Sequence, residues 1–142
     1  MSYFPAEIPR PEPDRDDREF WAHCAERRLC FQACARCGTL RHPPTPICHA
    51  CQSTMDRWVE APNTAVIYTF CVVHHPNHPA MASRVPYVVG LVTFPSLPGV
   101  RLVTNITDVP PADIAIGAEV ALWWDDVGEG MWIPRFRPSS GT

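Results

Sequence analysis

Two Cys-x-x-Cys pairs separated by ten residues constrain this sequence of 142 residues more than any other feature. The pairs are Cys34 with Cys37, and Cys48 with Cys51. Each pair places two thiolates on one tight turn, and two facing turns make a tetrahedral cage of four sulfurs. Gly38 follows the first pair and suits the sharp turn there. The spacing predicts a structural Zn²⁺ site with no coordination position left open to activate water.

Disulfide bonds and a redox-active pair are the alternatives for these cysteines. The cysteine count of seven is odd, and the sequence starts with a polar, acidic and proline-rich stretch that is unlike a signal peptide. We therefore expect a cytoplasmic protein, and disulfides are rare in that compartment. A thioredoxin-type site has one Cys-x-x-Cys beside a βαβ pattern, not two in a proline-rich loop. Metal binding is the interpretation that the pattern favours, and we expect the nearby His42 and His49 to be ordinary loop histidines.

The charge distribution disfavours nucleic acid as a partner. The formal net charge is −3, and no segment concentrates the 12 basic residues, all of them arginine, into a continuous track. Binding to a phosphate backbone depends on releasing counterions from several neutralised phosphates. No apolar run approaches the length of a membrane-spanning helix, so we expect no membrane segment.

The chain divides into an N-terminal part, residues 1–61, and a β-rich part, residues 62–142. The N-terminal part begins with a proline-rich arm, which we expect to be poorly ordered unless a partner covers it. A helix of about three turns follows, with Phe20 and Trp21 on one face. That face is either an interface or packs on the ribbon, and the sequence does not decide between them. Alternation over residues 29–33 predicts a strand that enters the first cysteine turn.

The β-rich part contains runs of β-branched and aromatic residues that predict five strands, at residues 64–74, 87–94, 100–106, 119–124 and 131–136. Pro110 and Pro111 can open a helical turn between the third and fourth strands. Gly90 is expected to mark a bend or a bulge. Five strands with this interruption predict a Greek-key barrel of the oligonucleotide/oligosaccharide-binding (OB) type, with a small sandwich as the alternative.

Several motifs resemble those of a known family over residues 16–138. They are Phe20-Trp21 on a helix, the four cysteines, the segment Arg41-His42-Pro43-Pro44 between the two pairs, Pro86-Tyr87-Val88-Val89, and Ile116-Gly117 before the fourth barrel strand. The chain resembles zinc-ribbon plus OB-fold proteins that were long catalogued as a domain of unknown function. The resemblance implies a mostly β fold: an N-terminal helix and rubredoxin-like zinc ribbon, followed by a five-stranded OB-fold barrel.

Proteins of that family are accessory subunits of thiolase-like enzymes, including thiolases and the aldolases that shorten steroid side chains. The resemblance therefore implies a non-catalytic subunit in a hetero-oligomer with a thiolase or an aldolase, in steroid or lipid side-chain degradation, with acyl-CoA as a candidate ligand at the interface. It also implies that Cys34, Cys37, Cys48 and Cys51 hold a structural zinc ion. The alternative function is an OB-fold protein that binds single-stranded nucleic acid.

Candidate site residues follow from these expectations. Arg84 and Arg101 are candidates for contacts with acyl-CoA, although both are also ordinary choices for solvated surface arginines. Aromatic residues are enriched at protein interfaces, and the interface candidates are Phe20, Trp21, Tyr87 and Trp132. We expect no catalysis by this chain alone, because the histidines at positions 74, 75 and 78 have no carboxylate nearby in the sequence.

Overall fold

A computed structural model describes residues 2–139 of the chain. Its regular elements are one α-helix and eight strands, together with two short 3₁₀ turns at Pro79–Met81 and Pro111–Asp113. In chain order they are α1 (Arg18–Ala25), β1 (Cys30–Cys34), β2 (Leu40–Arg41), β3 (Asp56–Glu60), β4 (Thr64–Val73), β5 (Tyr87–Thr93), β6 (Arg101–Asn105), β7 (Glu119–Gly128) and β8 (Met131–Pro138). Within the described residues, no helix is long and apolar enough to cross a membrane.

The ribbon is a three-stranded antiparallel sheet in the order β2-β1-β3. Its central strand β1 is buried along its whole length and leads directly into the first cysteine turn. Gln32, in the middle of that strand, pairs with Arg41 on one side and with Trp58 on the other. The strand predicted at residues 29–33 is therefore found one residue further along.

The β-rich part is a five-stranded antiparallel sheet in the order β6-β5-β4-β7-β8. Its two edges meet at one parallel bridge, between Ile106 and Phe136, where the Thr107 N–H donates to the Phe136 carbonyl at 2.8 Å. A bulge between Ile67 and Thr69 adds to the curvature that brings the edges together. The predicted mostly β fold with an OB-type sheet is confirmed, but only this isolated bridge joins the two edges, so the sheet is not closed by a continuous ladder.

Gly90 illustrates how the curled sheet constrains the sequence. The ladder between β4 and β5 is regular at this residue, so the predicted bend or bulge is absent. A Cβ atom at Gly90 would lie 2.9 Å from Cγ1 of Ile106. The Ile106 side chain packs where a Cβ at this position would lie, so the glycine leaves room for that side chain in the core.

The ribbon and the barrel share one hydrophobic core. The ring of Phe31, on β1, lies 5.4 Å from that of Phe94, and Phe94 lies 6.2 Å from Phe136 on β8. Phe20, on α1, joins the same row through its contact with Phe31 at 6.2 Å. The division at residue 61 separates two sheets, but apolar packing crosses it.

The N-terminal segment differs most from the prediction. Helix α1 has 8 residues, so it is about one turn shorter than predicted. The arm that was expected to need a partner packs on the barrel of the same chain. The Tyr3 N–H donates to both carboxylate oxygens of Asp125 at 3.1 and 3.2 Å, the Arg84 guanidinium donates to the Tyr3 carbonyl, and the Phe4 ring lies 5.2 Å from that of Tyr87.

Candidate metal centre and junction groove

The four paired cysteines converge at one end of the ribbon. Their Sγ atoms all lie within 4.8 Å of one another, with 3.5 Å between Cys34 and Cys51 and 3.6 Å between Cys37 and Cys48. Sulfurs placed tetrahedrally around zinc lie about 3.8 Å apart, given a zinc–sulfur distance of about 2.3 Å. A disulfide needs about 2.05 Å. The arrangement therefore fits a single tetrahedral metal ion.

Two similar turns build this cage. The Gly38 N–H donates to the Cys34 carbonyl at 2.9 Å, and the Gln52 N–H donates to the Cys48 carbonyl at 2.9 Å. Both residues that follow a pair have positive φ, 79° at Gly38 and 65° at Gln52. The glycine was recognisable from the sequence, whereas a glutamine in the left-handed region, which costs about 1 kcal/mol, was not.

The charges of the four sulfurs favour a bound cation. Backbone N–H groups of Cys37 and Arg36 donate to Cys34 Sγ at 3.4 and 3.3 Å, and these bonds, that of Cys37 first, lower the pKa of Cys34 to about 6. The backbone N–H of Ser53 lowers the pKa of Cys51, but burial and the three neighbouring sulfurs together outweigh it and raise that pKa to about 11. Four thiolates repel one another at this separation, and a divalent ion at their centre removes that repulsion.

His42 lies in the loop between the two cysteine pairs but is not placed as a metal ligand. Its ring lies 5.0 Å from that of Phe20 and 5.1 Å from that of Phe31. Its Nδ1 atom is buried and has no hydrogen-bond partner within residues 2–139. Burial lowers the pKa of His42 to about 4, with a smaller opposing effect of Asp17. The expected loop histidine is thus a packing residue that favours its neutral form.

This environment predicts a loss of stability in mild acid. The unfolded chain binds a proton at His42 near pH 6.5, whereas the folded chain does so only near pH 4. Because the unfolded state binds more protons between these values, the free energy of unfolding falls by about 2–3 kcal/mol as the pH drops from 7 to 4. Denaturant titrations at several pH values should show a weaker dependence for His42→Phe. Acid releases the metal from both proteins in the same way, so metal loss does not produce a difference between them. Equal pH slopes for the two proteins would therefore contradict this explanation.

A groove of about 520 Å³ runs along the junction between the two parts of the chain. The groove is lined by Trp21 of α1, by Pro43 and Pro44 of the loop between the cysteine pairs, by Val89 of β5, by all of β6, and by Ile133, Pro134 and Arg135 of β8. Its volume lies in the range of small-molecule and peptide sites, roughly 300–1,000 Å³. The lining is largely apolar, and Arg101 is exposed at its margin.

The two arginines proposed for acyl-CoA do not form one site. Arg84 lies three residues before the start of β5, whereas Arg101 pairs with Thr93 at its end. Strand β5 separates them by about 20 Å. Arg84 is hydrogen-bonded to the arm, while the Arg101 guanidinium lies 4.4 Å above the Tyr68 ring. Arg101 borders the groove and Arg84 does not.

The four interface candidates lie at different places in the fold. Trp21 and Tyr87 both line the groove. Phe20 is only 4% exposed and packs in the core, although it also contributes to the groove lining, and its role at an interface stays a prediction. Trp132 is half-buried outside the groove, with the Arg27 guanidinium 4.8 Å above its ring. The helix face that the sequence left undecided therefore divides, with one aromatic in the core and one at the groove.

A buried ion pair was missed by the sequence analysis. Arg135 Nε lies 2.6 Å from Asp125 Oδ2, and the two side chains are 6% and 1% exposed. The Arg135 guanidinium also donates to the Asn105 side chain, and it lies 5.2 Å from the Tyr3 ring and 5.0 Å from the Phe4 ring. The hairpin register was the available signal, because Asp125 pairs with Ile133, two residues from Arg135, which puts the pair diagonally on one face.

The histidines of the loop after β4 do not come together as a group of metal ligands within the described residues. His78 Nδ1 accepts a hydrogen bond from the Ala80 N–H at 3.1 Å and caps the 3₁₀ turn there. His74 and His75 are exposed. Across residues 2–139, the four cysteines are the one group of three or more potential metal-binding side chains close enough to hold an ion.

Comparison with known proteins identifies both parts of the chain. The model of the ChsH2 rubredoxin-like zinc ribbon domain matches residues 21–56, and that of the ChsH2 C-terminal OB-fold domain matches residues 58–125. A solved structure described as Ltp2-ChsH2(DUF35) aldolase has 43% sequence identity and a TM-score of 0.82, and the match covers 91% of this chain and 98% of that chain.

Two curated relatives are longer proteins. A probable enoyl-CoA hydratase alpha subunit from Thermomonospora curvata is 46% identical over 132 residues, which are 92% of this chain and 40% of the relative. A 3-oxo-4,17-pregnadiene-20-carboxyl-CoA hydratase alpha subunit from Mycobacterium tuberculosis is 32% identical over 122 residues, 86% of this chain and 38% of the relative. The chain thus spans about two fifths of the length of these relatives.

Proposed function

This chain belongs to the ChsH2 family, in which a zinc ribbon precedes an OB-fold domain, and we propose that it is a non-catalytic accessory subunit of a thiolase-like enzyme acting on acyl-CoA. The similar solved structure carries the name of an aldolase composed of Ltp2 and ChsH2. The name of the Mycobacterium tuberculosis relative refers to a steroid-derived acyl-CoA. Together these names support an aldolase as the partner and steroid side-chain degradation as the process.

Zinc is the metal that we assign to the cage. Soft thiolates in a tetrahedral set favour zinc or iron, and a four-cysteine ribbon is a common structural zinc site. Cys34, Cys37, Cys48 and Cys51 fill all four positions, so the ion's contribution is to hold the ribbon's shape. The ribbon loop that the cage fixes carries Pro43 and Pro44, which form part of the groove wall.

The observation that carries the proposal is an apolar surface at the groove and on the adjoining sheet face. Val103 is 66% exposed and Tyr68 is 46% exposed. Leu91 pairs with Val103, which places the side chains of Leu91 and Val103 side by side on the outer face of β5 and β6. Such a surface, with Trp21 and Tyr87 at one end, has the composition of a protein interface.

Arg101 is the better placed of the two candidates for acyl-CoA. It lies at the margin of the groove, and its guanidinium can pair with a phosphate of the coenzyme. We do not extend the proposal to single-stranded nucleic acid, because the formal net charge is −3 and the guanidinium groups of Arg27, Arg101, Arg135 and Arg137 already lie over aromatic rings of the same chain. A continuous positive channel is the usual requirement for that function.

Binding to the aldolase subunit of the Ltp2-ChsH2 complex tests the proposal. Isothermal titration calorimetry should detect a stable complex with the wild-type chain. Trp21→Ala is expected to weaken it about 30-fold, because truncating a central aromatic contact typically costs about 2 kcal/mol. Ile116→Ala is the matched control, since Ile116 is 66% exposed but does not line the groove, and it should bind as wild type does. Absence of binding by the wild-type chain would contradict the proposed function.

A further inference from the structure

The sheet edges of this protein are protected unequally. Strand β2 has two residues, and β3 carries Asp56, Arg57 and Glu60 among its five residues. Strand β8 carries two prolines, Pro134 and Pro138. Shortness, charge and proline are the usual devices that stop an edge strand from pairing with another chain. Strand β6 has none of them beyond the single charge of Arg101.

The direction of the hydrogen-bonding groups can be read from the bridge that joins the two edges. The Thr107 N–H donates toward β8, to the Phe136 carbonyl at 2.8 Å. Backbone groups of alternate residues in an antiparallel strand point the same way. The N–H and C=O groups of Val103 and Arg101 therefore face away from β5. On β8 the same alternation puts Pro134 and Pro138 on the open side, where their missing N–H groups remove donors.

The open part of β6 lies along the junction groove. Among the strands of residues 2–139, β6 pairs only with β5, apart from the bridge at Ile106. The ladder between β5 and β6 has no bulge that would turn the edge away. The groove of about 520 Å³ beside the strand is lined by Trp21, Pro43 and Pro44, and also by Ile133, Pro134 and Arg135 of β8. The Thr104 hydroxyl donates to the Pro134 carbonyl at 3.0 Å, so the open part of the edge is Arg101–Val103. A row of backbone donors and acceptors beside an apolar trough is the arrangement that accepts an added strand.

We propose that β6 accepts an extended segment of the thiolase-like partner, which adds as a sixth strand beside Arg101–Val103 and inserts alternate side chains into the junction groove. The inference rests on the proposed function and names the structural element that docks. The segment that fits has apolar residues at alternate positions, because the lining is apolar. Arg101 is the only charged residue of β6, so an acidic residue at the matching end of the segment complements it.

Substitution at Val103 separates backbone pairing from side-chain contact. Val103→Pro removes the outward N–H, and an edge strand tolerates proline where that group is not part of the ladder. Val103→Ala keeps the N–H and shortens the side chain. We expect Val103→Pro to weaken binding of the Ltp2 aldolase subunit by about 30-fold or more, because it removes a hydrogen bond and places a ring against the added strand. Val103→Ala should weaken it by only about threefold.

Amide exchange of the wild-type chain supplies a second test that needs no substitution. In the unbound chain, the amides of Leu102 and Thr104, which face β5, should exchange slowly, whereas those of Arg101 and Val103 should exchange fast. In the complex with the aldolase subunit, all four should exchange slowly. Residue-resolved exchange measured by NMR reports this alternation directly.

Three results would overturn the inference. If the wild-type chain binds the aldolase subunit while Arg101 and Val103 amides still exchange fast, the partner docks elsewhere or through side chains alone, and the accessory function stands without the added strand. If those amides slow with rising concentration of the chain alone, a second copy occupies the edge. If the wild-type chain does not bind the aldolase subunit at all, the proposed function fails and the inference fails with it.

Discussion

Replacing Cys37 with serine is expected to release the metal ion and to unfold the ribbon. A structural zinc site contributes about 10–16 kcal/mol of apparent binding free energy, which is comparable to the whole stability of a typical domain, about 5–15 kcal/mol. The barrel should keep much of its β signal at low temperature. It should nevertheless melt earlier, because Phe94 loses its contact with Phe31 when the ribbon unfolds.

Circular dichroism melting and metal analysis check this expectation, with Cys71→Ser as the control. Cys71 is exposed on β4 and lies outside the cage. The control should retain one zinc ion and the wild-type melting temperature. Cys37→Ser should bind no zinc and should melt at a lower temperature. A metal-free Cys37→Ser protein with an unchanged melting profile would show that the cage does not stabilise the ribbon.

Replacing Arg135 with alanine should lower the free energy of unfolding by about 3–5 kcal/mol. The substitution leaves Asp125, which is 1% exposed, without the cation that neutralises it. It also removes the guanidinium beneath Tyr3 and Phe4. The N-terminal arm should therefore loosen together with the barrel, since the Tyr3 N–H donates to the same carboxylate.

Denaturant unfolding of Arg135→Ala and Arg137→Ala measures this effect. Arg137 lies on the same strand but is exposed, with its guanidinium 5.8 Å from the Trp123 ring, so its loss should cost no more than about 1 kcal/mol. Limited proteolysis should cut residues 2–13 faster in Arg135→Ala than in the wild-type chain, and no faster in Arg137→Ala. Equal unfolding midpoints for the two variants would mean that the ion pair does not stabilise the fold.

Local chemistry explains what the sequence could predict. The spacing of the four cysteines predicts the cage because tetrahedral coordination needs two tight turns and little else. The five barrel strands were recognisable because β-branched runs are separated by glycine and proline. Each was placed to within two residues, apart from β7, which extends to Gly128 because its hairpin with β8 stays paired almost to the turn.

The features that were missed depend on contacts between distant parts of the chain. The arm looked unsupported because its partners, Asp125 and Arg84, lie far along the sequence. Phe20 and Trp21 are adjacent in the sequence, and contacts with the distant Phe31 and His42 place Phe20 in the core. The unprotected edge of β6 becomes visible once the order of the sheet is known, because strand order determines which strand lies at an edge.

Native mass spectrometry of the chain co-expressed with the aldolase subunit measures the assembly and its metal content together. We expect a hetero-oligomer in which each copy of this chain carries one zinc ion, and we expect Cys37→Ser to abolish both the metal and the assembly. A metal-free chain that separates from the aldolase subunit under the same conditions would contradict this expectation.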